Sequence, residues 1–213
     1  MRIKAMDTPS RAKQCAESLG TLAIVPLLIP YAFTNQQTVI REDVRRWAQE
    51  LRRPECASFF GMLRLLVSYP EFRSLFCHRL KCGNQPASLL AICLRMVYRG
   101  QTALFLNCVD IGPGLFLQHA WCTAVGAERI GRNCWINQQV VIGHTNRDGG
   151  PVIGDNVFIH VGAKVLGPIR IGNNVTIGAN ALVIKDVPDD SVVFGAPGIA
   201  RRRNSTASPS AVA

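Results

Sequence analysis

The sequence predicts an α+β fold, with an N-terminal α-helical domain followed by a solenoid of parallel β-strands. Three observations predict it. An aliphatic residue returns every six positions at Ile130, Ile136 and Ile142, and again at Ile153, Ile159, Val165, Ile171, Ile177 and Val183. An internal period this short marks a β-solenoid built from hexapeptides. Three positions after the aliphatic stands Asn133, Asn156, Asn174 or Asn180. Asn is among the few residues that tolerate the positive φ a sharp corner demands. Before residue 100 the apolar spacing is helical instead. The expected division is 1–100 helical domain, 101–200 solenoid and 201–213 disordered tail.

The helical half reads in order. Residues 1–20 predict an amphipathic helix between Thr8-Pro9-Ser10 and Gly20. Residues 21–34 (TLAIVPLLIPYAFT) form an apolar run broken by Pro26 and Pro30, too short to span a membrane. It is expected to pack against the rod or a partner subunit. Asn35-Gln36-Gln37 reads as a turn. Val39 to Arg53 predicts a helix with Val44, Trp47 and Leu51 on one face, ended by Pro54. Ser58–Ser68 and Glu71–Cys82 predict two more helices, separated by Tyr69-Pro70. Pro86–Arg99 predicts another, apolar on three sides and therefore buried.

In the solenoid the residue after each corner Asn must fit a tight bend; Cys134, Val157, Val175 and Ala181 stand there. The period breaks once. Ile142 to Ile153 is eleven residues, which throws His144–Pro151 (HTNRDGGP) out as a polar loop. Lys185–Pro197 leaves the period and is expected to cap the open end.

The net charge of +10 is uneven, because residues 1–100 hold 15 Lys/Arg against 7 Asp/Glu. A basic face attracts anions such as cofactor phosphates or acidic glycans. No recognition motif points to nucleic acid. The 8 cysteines form no CxxC pair and read as reduced, buried small hydrophobes of a cytoplasmic protein.

Several pieces together resemble the hexapeptide-repeat acyltransferases, and within them serine O-acetyltransferases and their relatives in polysaccharide gene clusters. They are Leu115–Ala120 (LFLQHA), Asn133–Gly143, Ile153–Gly167, Ile171–Asp186 and Val192–Ala200, with Ile40–Trp47 and Pro70–Leu80 in the helical half. The resemblance covers about residues 38–200. It implies a left-handed parallel β-helix, a hand that departs from the usual right-handed crossover. It also implies a homotrimer, or a dimer of trimers, with active sites between neighbouring rods and acetyl-CoA as co-substrate.

On that resemblance His119 matches the catalytic general base, taking the proton from an acceptor hydroxyl as its oxygen attacks the thioester. Backbone N–H groups would hold the oxyanion. Asp110 is a candidate partner for His119, although the family's orienting Asp lies about one hexapeptide farther upstream. Asp43 matches an acidic residue that helps hold the acceptor. Gln118 stands where the family often has Asp. His144 opens a loop that ends in Gly149-Gly150 before Pro151, where serine enzymes carry an Arg-His pair. The CoA-binding positions implied are Gly162, Ala163, Lys164, Ala181, Lys185 and Arg201.

The resemblance implies serine O-acetyltransferase-like acetyl transfer to a hydroxyl, with a sugar hydroxyl of a polysaccharide precursor as the alternative acceptor. Two readings from other classes remain beside it: a non-catalytic trimeric scaffold, and a carbonic-anhydrase-like metal enzyme. The latter needs three clustered histidines, and the spacings of His119, His144 and His160 do not resemble that cluster, so no metal is expected.

Overall fold

One inward aliphatic per hexapeptide, repeated coil after coil, builds the structure. The computed structural model describes residue 20, residues 22–145 and residues 149–202, the last three by backbone alone. The helix expected over residues 1–20 and the tail from 203 onward lie outside the described residues. A 3₁₀ turn at Val25–Leu27 leads into helix α1 (Leu28–Phe33), then α2 (Gln37–Glu50), α3 (Phe59–Ser68), α4 (Pro70–Lys81) and α5 (Ala87–Arg95). No helix among the described residues is long and apolar enough to cross a membrane.

The helix boundaries follow local chemistry. Pro54 opens a 3₁₀ turn after α2. Ser58 caps α3 by accepting the Gly61 N–H at 3.0 Å. Tyr69 is extended, as the residue before a proline prefers, and Pro70 starts α4. In α2 the buried stripe is Ile40, Asp43, Val44, Trp47 and Ala48, so a carboxylate sits inside the apolar face.

The expectation that α5 is buried on three sides is corrected. Only Ala87, Ser88 and Ala91 of this helix are buried. Leu89, Ile92, Met96 and Val97 in and after it are exposed, and Leu22, Val25, Ile29 and Phe33 are exposed on the neighbouring N-terminal segment. Apolarity alone does not place a face in the core of its own chain.

Fifteen short strands follow among the described residues. Face A stacks β1 (Leu104–Leu106), β4 (Thr123–Val125), β7 (Val141–Gly143), β10 (Lys164–Leu166) and β13 (Leu182–Val183). Face B stacks β2 (Asp110–Ile111), β5 (Arg129–Ile130), β8 (Val152–Ile153) and β11 (Arg170–Ile171). Face C stacks β3 (Phe116–Leu117), β6 (Trp135–Ile136), β9 (Phe158–Ile159), β12 (Thr176–Ile177), β14 (Ser191–Phe194) and β15 (Ile199–Arg202). All pairings are parallel except β14 with β15. This is a left-handed parallel β-helix of triangular section behind a helical N-terminal region.

The inward column of face C, Leu117, Ile136, Ile159, Ile177 and Val193, is almost fully buried. Each such side chain contributes about 1.5–3 kcal/mol of apolar burial. The corner asparagines behave as their spacing predicts. Asn133, Asn156, Asn174 and Asn180 have φ of 54°, 56°, 56° and 56°. Three of them form a ladder: the Asn133 amide donates to Asn156 at 3.5 Å, Asn156 to Asn174 at 3.1 Å, and Asn174 to Asp190 at 3.0 Å.

The strand β15 corrects the expected tail, since Arg201 and Arg202 pair with β14 rather than beginning a disordered end. The cysteines divide more than expected. Cys56, Cys77, Cys108 and Cys134 are buried free thiols, but Cys93 and Cys122 are exposed. Burial pushes the thiols of Cys77 and Cys108 up to about 11 and that of Cys134 to about 12.

Candidate active site

The corner between faces C and A is where the first coil departs from its neighbours. Leu117 to Val125 spans eight residues, whereas Ile136 to Ile142, stacked on them, spans six. The two extra residues make room for a double bend in which both His119 (φ 57°) and Cys122 (φ 52°) take positive φ. Such a conformation in a residue other than Gly or Asn is costly and concentrates at functional sites. The His119 carbonyl accepts the Trp121 N–H and, at 3.4 Å, the Gln101 side-chain amide. The imidazole is left exposed.

His119 lines a pocket of about 150 Å³ with Gln118, Leu117, Phe116 and Trp135 from the rod and Trp47, Glu50, Leu51, Tyr69 and Glu71 from the helices. Glu50 is already paired with Arg46 at 2.8 Å. Among the described residues lining the pocket there is no lysine or arginine. Larger hollows of about 560 and 590 Å³ lie elsewhere, one beside Tyr31 and Arg41, the other along face B, and neither is lined by a histidine. The chemistry therefore favours the smaller hollow.

Three side chains from the helices fix the backbone that leads to His119. Asp43 accepts from Arg79 at 2.9 and 3.2 Å and from the Gly114 N–H at 2.7 Å. Arg79 also donates to the carbonyls of Ile111 and Gly112, the latter at 2.7 Å. The Trp47 indole donates to the Leu115 carbonyl at 3.0 Å. Asp43 and Arg79 are both buried. Burial holds the Asp43 carboxyl above its usual value, and Arg79 with the N–H groups of Gly114 and Leu115 offsets only part of that rise. Asp43 is thus a structural link between helices and rod, with its oxygens already engaged. The expectation that it holds the acceptor is corrected on that ground.

The structure does not bring Asp110 to His119 within one chain. Asp110 lies on face B, where its carboxylate is 3.3 Å from Arg129 Nε on the next coil. One hexapeptide upstream stands the buried Leu104. His144 likewise sits apart, exposed beyond the end of β7 at the corner between faces A and B. A Cβ on Gly150 would come within 3.0 Å of the His144 ring, so the imidazole rests against that glycine. The Gly150 N–H donates to Glu128 at 3.0 Å, which anchors the loop's return.

The positions implied for CoA fall into two groups. Ala163 and Ala181 are fully buried, and their N–H groups already donate to His160 and Gly178 at 3.3 and 3.2 Å. They pack the corner and offer nothing to a ligand, which corrects that expectation. Gly162, at φ 72°, is required by its corner, because a Cβ there would meet the Asn180 side chain at 2.0 Å. Lys164 donates to the Gly162 carbonyl at 2.5 Å. Lys185 is exposed after β13, and Arg201 pairs through its backbone with Val192.

The pocket's aromatic walls and acidic residues were missed from sequence. A signal existed. Phe116, Trp135 and Phe158 each stand immediately before the inward aliphatic in successive coils, so they share one outward row.

The family model for the bacterial transferase hexapeptide (six repeats) matches residues 150–185. The chain is 37% identical over 143 residues to a serine acetyltransferase of Synechococcus elongatus, covering 64% of this chain and 59% of that one. It thus spans about three fifths of that relative's length. It is 36% identical over 173 residues to a serine acetyltransferase of Mycobacterium tuberculosis, covering 76% of this chain and 71% of the relative. Among solved structures, Neisseria gonorrhoeae serine acetyltransferase superposes with a TM-score of 0.61 at 28% identity, covering 82% and 67% of the two chains. Soybean serine acetyltransferase complexed with serine superposes with a TM-score of 0.60 at 31% identity, covering 77% and 68%. By its hexapeptide rod, its helical preface and this similarity over most of the Mycobacterium relative, the chain belongs to the serine acetyltransferase family of hexapeptide-repeat transferases.

Proposed function

We propose that the chain transfers an acetyl group from acetyl-CoA to the hydroxyl of a small acceptor, with serine as the first candidate. The observation that carries this reading is the exposed His119 imidazole at a two-residue-longer corner, facing a pocket of about 150 Å³. His119 takes the hydroxyl proton as the acceptor oxygen forms the new C–O bond; the thioester C–S bond breaks, and the proton passes to the CoA sulfur. The ring needs no acyl-enzyme step, because donor and acceptor meet directly. Lys164 and Lys185 are the cations of the C-terminal coils that would meet CoA phosphates.

The working assembly is a homotrimer, alone or as a dimer of trimers. Exposed Phe105, Val109 and Trp121 on the first coils support lateral contact between rods. The free thiols fit a reducing compartment, and we place the enzyme in the cytoplasm.

A sugar hydroxyl on a polysaccharide precursor is the second acceptor reading. It is favoured by a pocket that has carboxylates and aromatic walls but, among the described residues lining it, no cation to meet a free amino acid's carboxylate. The test is CoA-thiol release from acetyl-CoA with serine, homoserine and a panel of sugars and nucleotide sugars. Release with serine alone establishes the first acceptor. Release with sugars alone establishes the second, and no release with any acceptor overturns acetyl transfer.

A further inference from the structure

The helical half carries a hollow of about 560 Å³ that acetyl transfer leaves unused. It lies between α1, α2 and the start of α3. Its inner wall is apolar, from Leu28 and the buried Tyr31, Val44 and Met62. Its rim holds two exposed cations of α2, Arg41 and Arg45, one helical turn apart. Among the described residues lining the hollow there is no carboxylate.

These two arginines differ from the other charges of α2. Glu42 pairs with Arg132 at 2.9 Å, Asp43 with Arg79 at 2.9 Å, and Arg46 with Glu50 at 2.8 Å. Arg41 and Arg45 have no carboxylate partner among the described residues. Like charges at this spacing repel, and an anion between them removes the repulsion. Arg41 Nε donates to the Tyr31 hydroxyl at 3.4 Å, which leaves the hydroxyl proton free to donate. The remaining polar donors are engaged. The Gln37 amide donates to the carbonyls of Tyr31 and Ala32 at 3.0 and 3.1 Å, and the Ser58 hydroxyl donates to the Glu55 carbonyl at 3.2 Å. The other large hollow, along face B, is of a different kind. Asp155, Asp186 and Asp189 line it beside Arg129 and Arg170, so its charges offset within the chain.

We propose that the hollow between α1, α2 and α3 is a binding site for an amphiphilic anion, a carboxylate or phosphate headgroup on an apolar tail. The headgroup lies at Arg41 and Arg45 and accepts the Tyr31 hydroxyl proton. The tail lies on Leu28, Val44 and Met62. Guanidinium forks match the oxygens of either headgroup. The apolar wall alone would take any apolar group, and the unpaired arginines select the anion. The volume is that of a small-molecule pocket, which pairs apolar walls with a few placed polar groups in this way. The proposal does not rest on the acetyl-transfer reading, because His119 is not among the lining residues and binding is measured without acetyl-CoA.

The test is isothermal titration calorimetry on the full chain with decanoate and decyl phosphate, each below its micelle-forming concentration. Either should bind saturably, one per chain. Decanol has the tail without the charge, and acetate and inorganic phosphate have the charge without the tail. All three should bind at least about tenfold more weakly. Tighter decanoate assigns a fatty-acid-like ligand, and tighter decyl phosphate a phosphorylated one. Arg41→Gln with Arg45→Gln should weaken binding about tenfold at low salt, and the difference should shrink as ionic strength rises, since both side chains are exposed. Ala57→Trp fills the hollow from its exposed edge and should abolish binding with both arginines in place. No saturable binding to the wild type overturns the site, which is also the result that a second copy seated over the hollow would give. Equal affinity for decanol and decanoate, or binding unchanged in both variants, overturns it as well.

Discussion

Asp43 and Arg79 form a buried ion pair, 2.9 Å apart, that bonds the backbone of the first coil from the helical side. Residues 111–115 are thereby held from two helices at once, four positions short of His119. Asp43→Ala leaves the Arg79 charge buried and unpaired. It should destabilise the fold by about 3–5 kcal/mol, read as a lower denaturant midpoint at unchanged slope. Replacing both residues by apolar ones should cost less than the sum of the single changes, which a double-mutant cycle measures.

His119→Ala should lower kcat for acetyl transfer by roughly 10²- to 10⁴-fold, the usual contribution of a positioned general base. Because the imidazole is exposed, the thermal midpoint should move little. Thiol release and a melting curve on the same preparation check both halves. Full activity in this variant refutes the mechanism.

Lys185→Ala should raise KM for acetyl-CoA severalfold and leave kcat nearly unchanged, because a phosphate contact contributes equally to ground and transition states. The effect should shrink as salt rises, since the side chain is exposed. Initial rates against acetyl-CoA at low and high ionic strength measure it.

The corner ladder gives a test of backbone conformation. Asn156→Ala places a Cβ-bearing residue without a bonding side chain at φ 56° and removes two ladder contacts. It should cost about 1–2 kcal/mol for the left-handed conformation plus the lost amide bonds. Asn156→Gly should recover the conformational part, and equilibrium unfolding of the pair separates the two contributions.

His78 gives the pH dependence. Burial lowers its value from 6.5 to about 4, although its Nε2 lies 2.8 Å from the Cys108 carbonyl. The unfolded chain binds this proton first, so stability is whole above pH 6.5 and falls as pH drops from there toward 4. The loss should approach about 3 kcal/mol at the acid end. His78→Gln should remove that part of the slope in unfolding measured between pH 7 and 4.

The rod was legible because its constraint is strict. One inward aliphatic every six residues and one Asn at a positive-φ corner leave little else for the sequence to be. The eight-residue corner was harder to see, since it lies where the period starts and nothing before it sets the count. The resemblance assigns Asp43 to the acceptor, and only its partner 36 residues on shows why it sits in an apolar stripe. Ala163 and Ala181 were ambiguous because a small residue serves a tight corner and a close ligand equally well. The His119 pocket was least legible of all. Its walls come from Trp47, Tyr69 and Trp135, which local periodicity cannot bring together. The burial expected of α5 failed for a related reason, as a hydrophobic pattern does not say which other element its faces meet.

The antiparallel return of β15 has a consequence for how copies of this chain meet. A stack of parallel coils ends in an open edge, and identical edges invite end-to-end growth. Here the turn after β14 folds back over that edge, with Leu182 donating to the Gly195 carbonyl at 3.1 Å and accepting from the Gly198 N–H at 2.6 Å. At the opposite end the helices occupy the first coil through Asp43, Trp47 and Arg79. Among the described residues, both ends of the stack are thus met by chain from outside the repeat. The sides of the rod, where Phe105, Val109 and Trp121 are exposed, are left as its open surfaces.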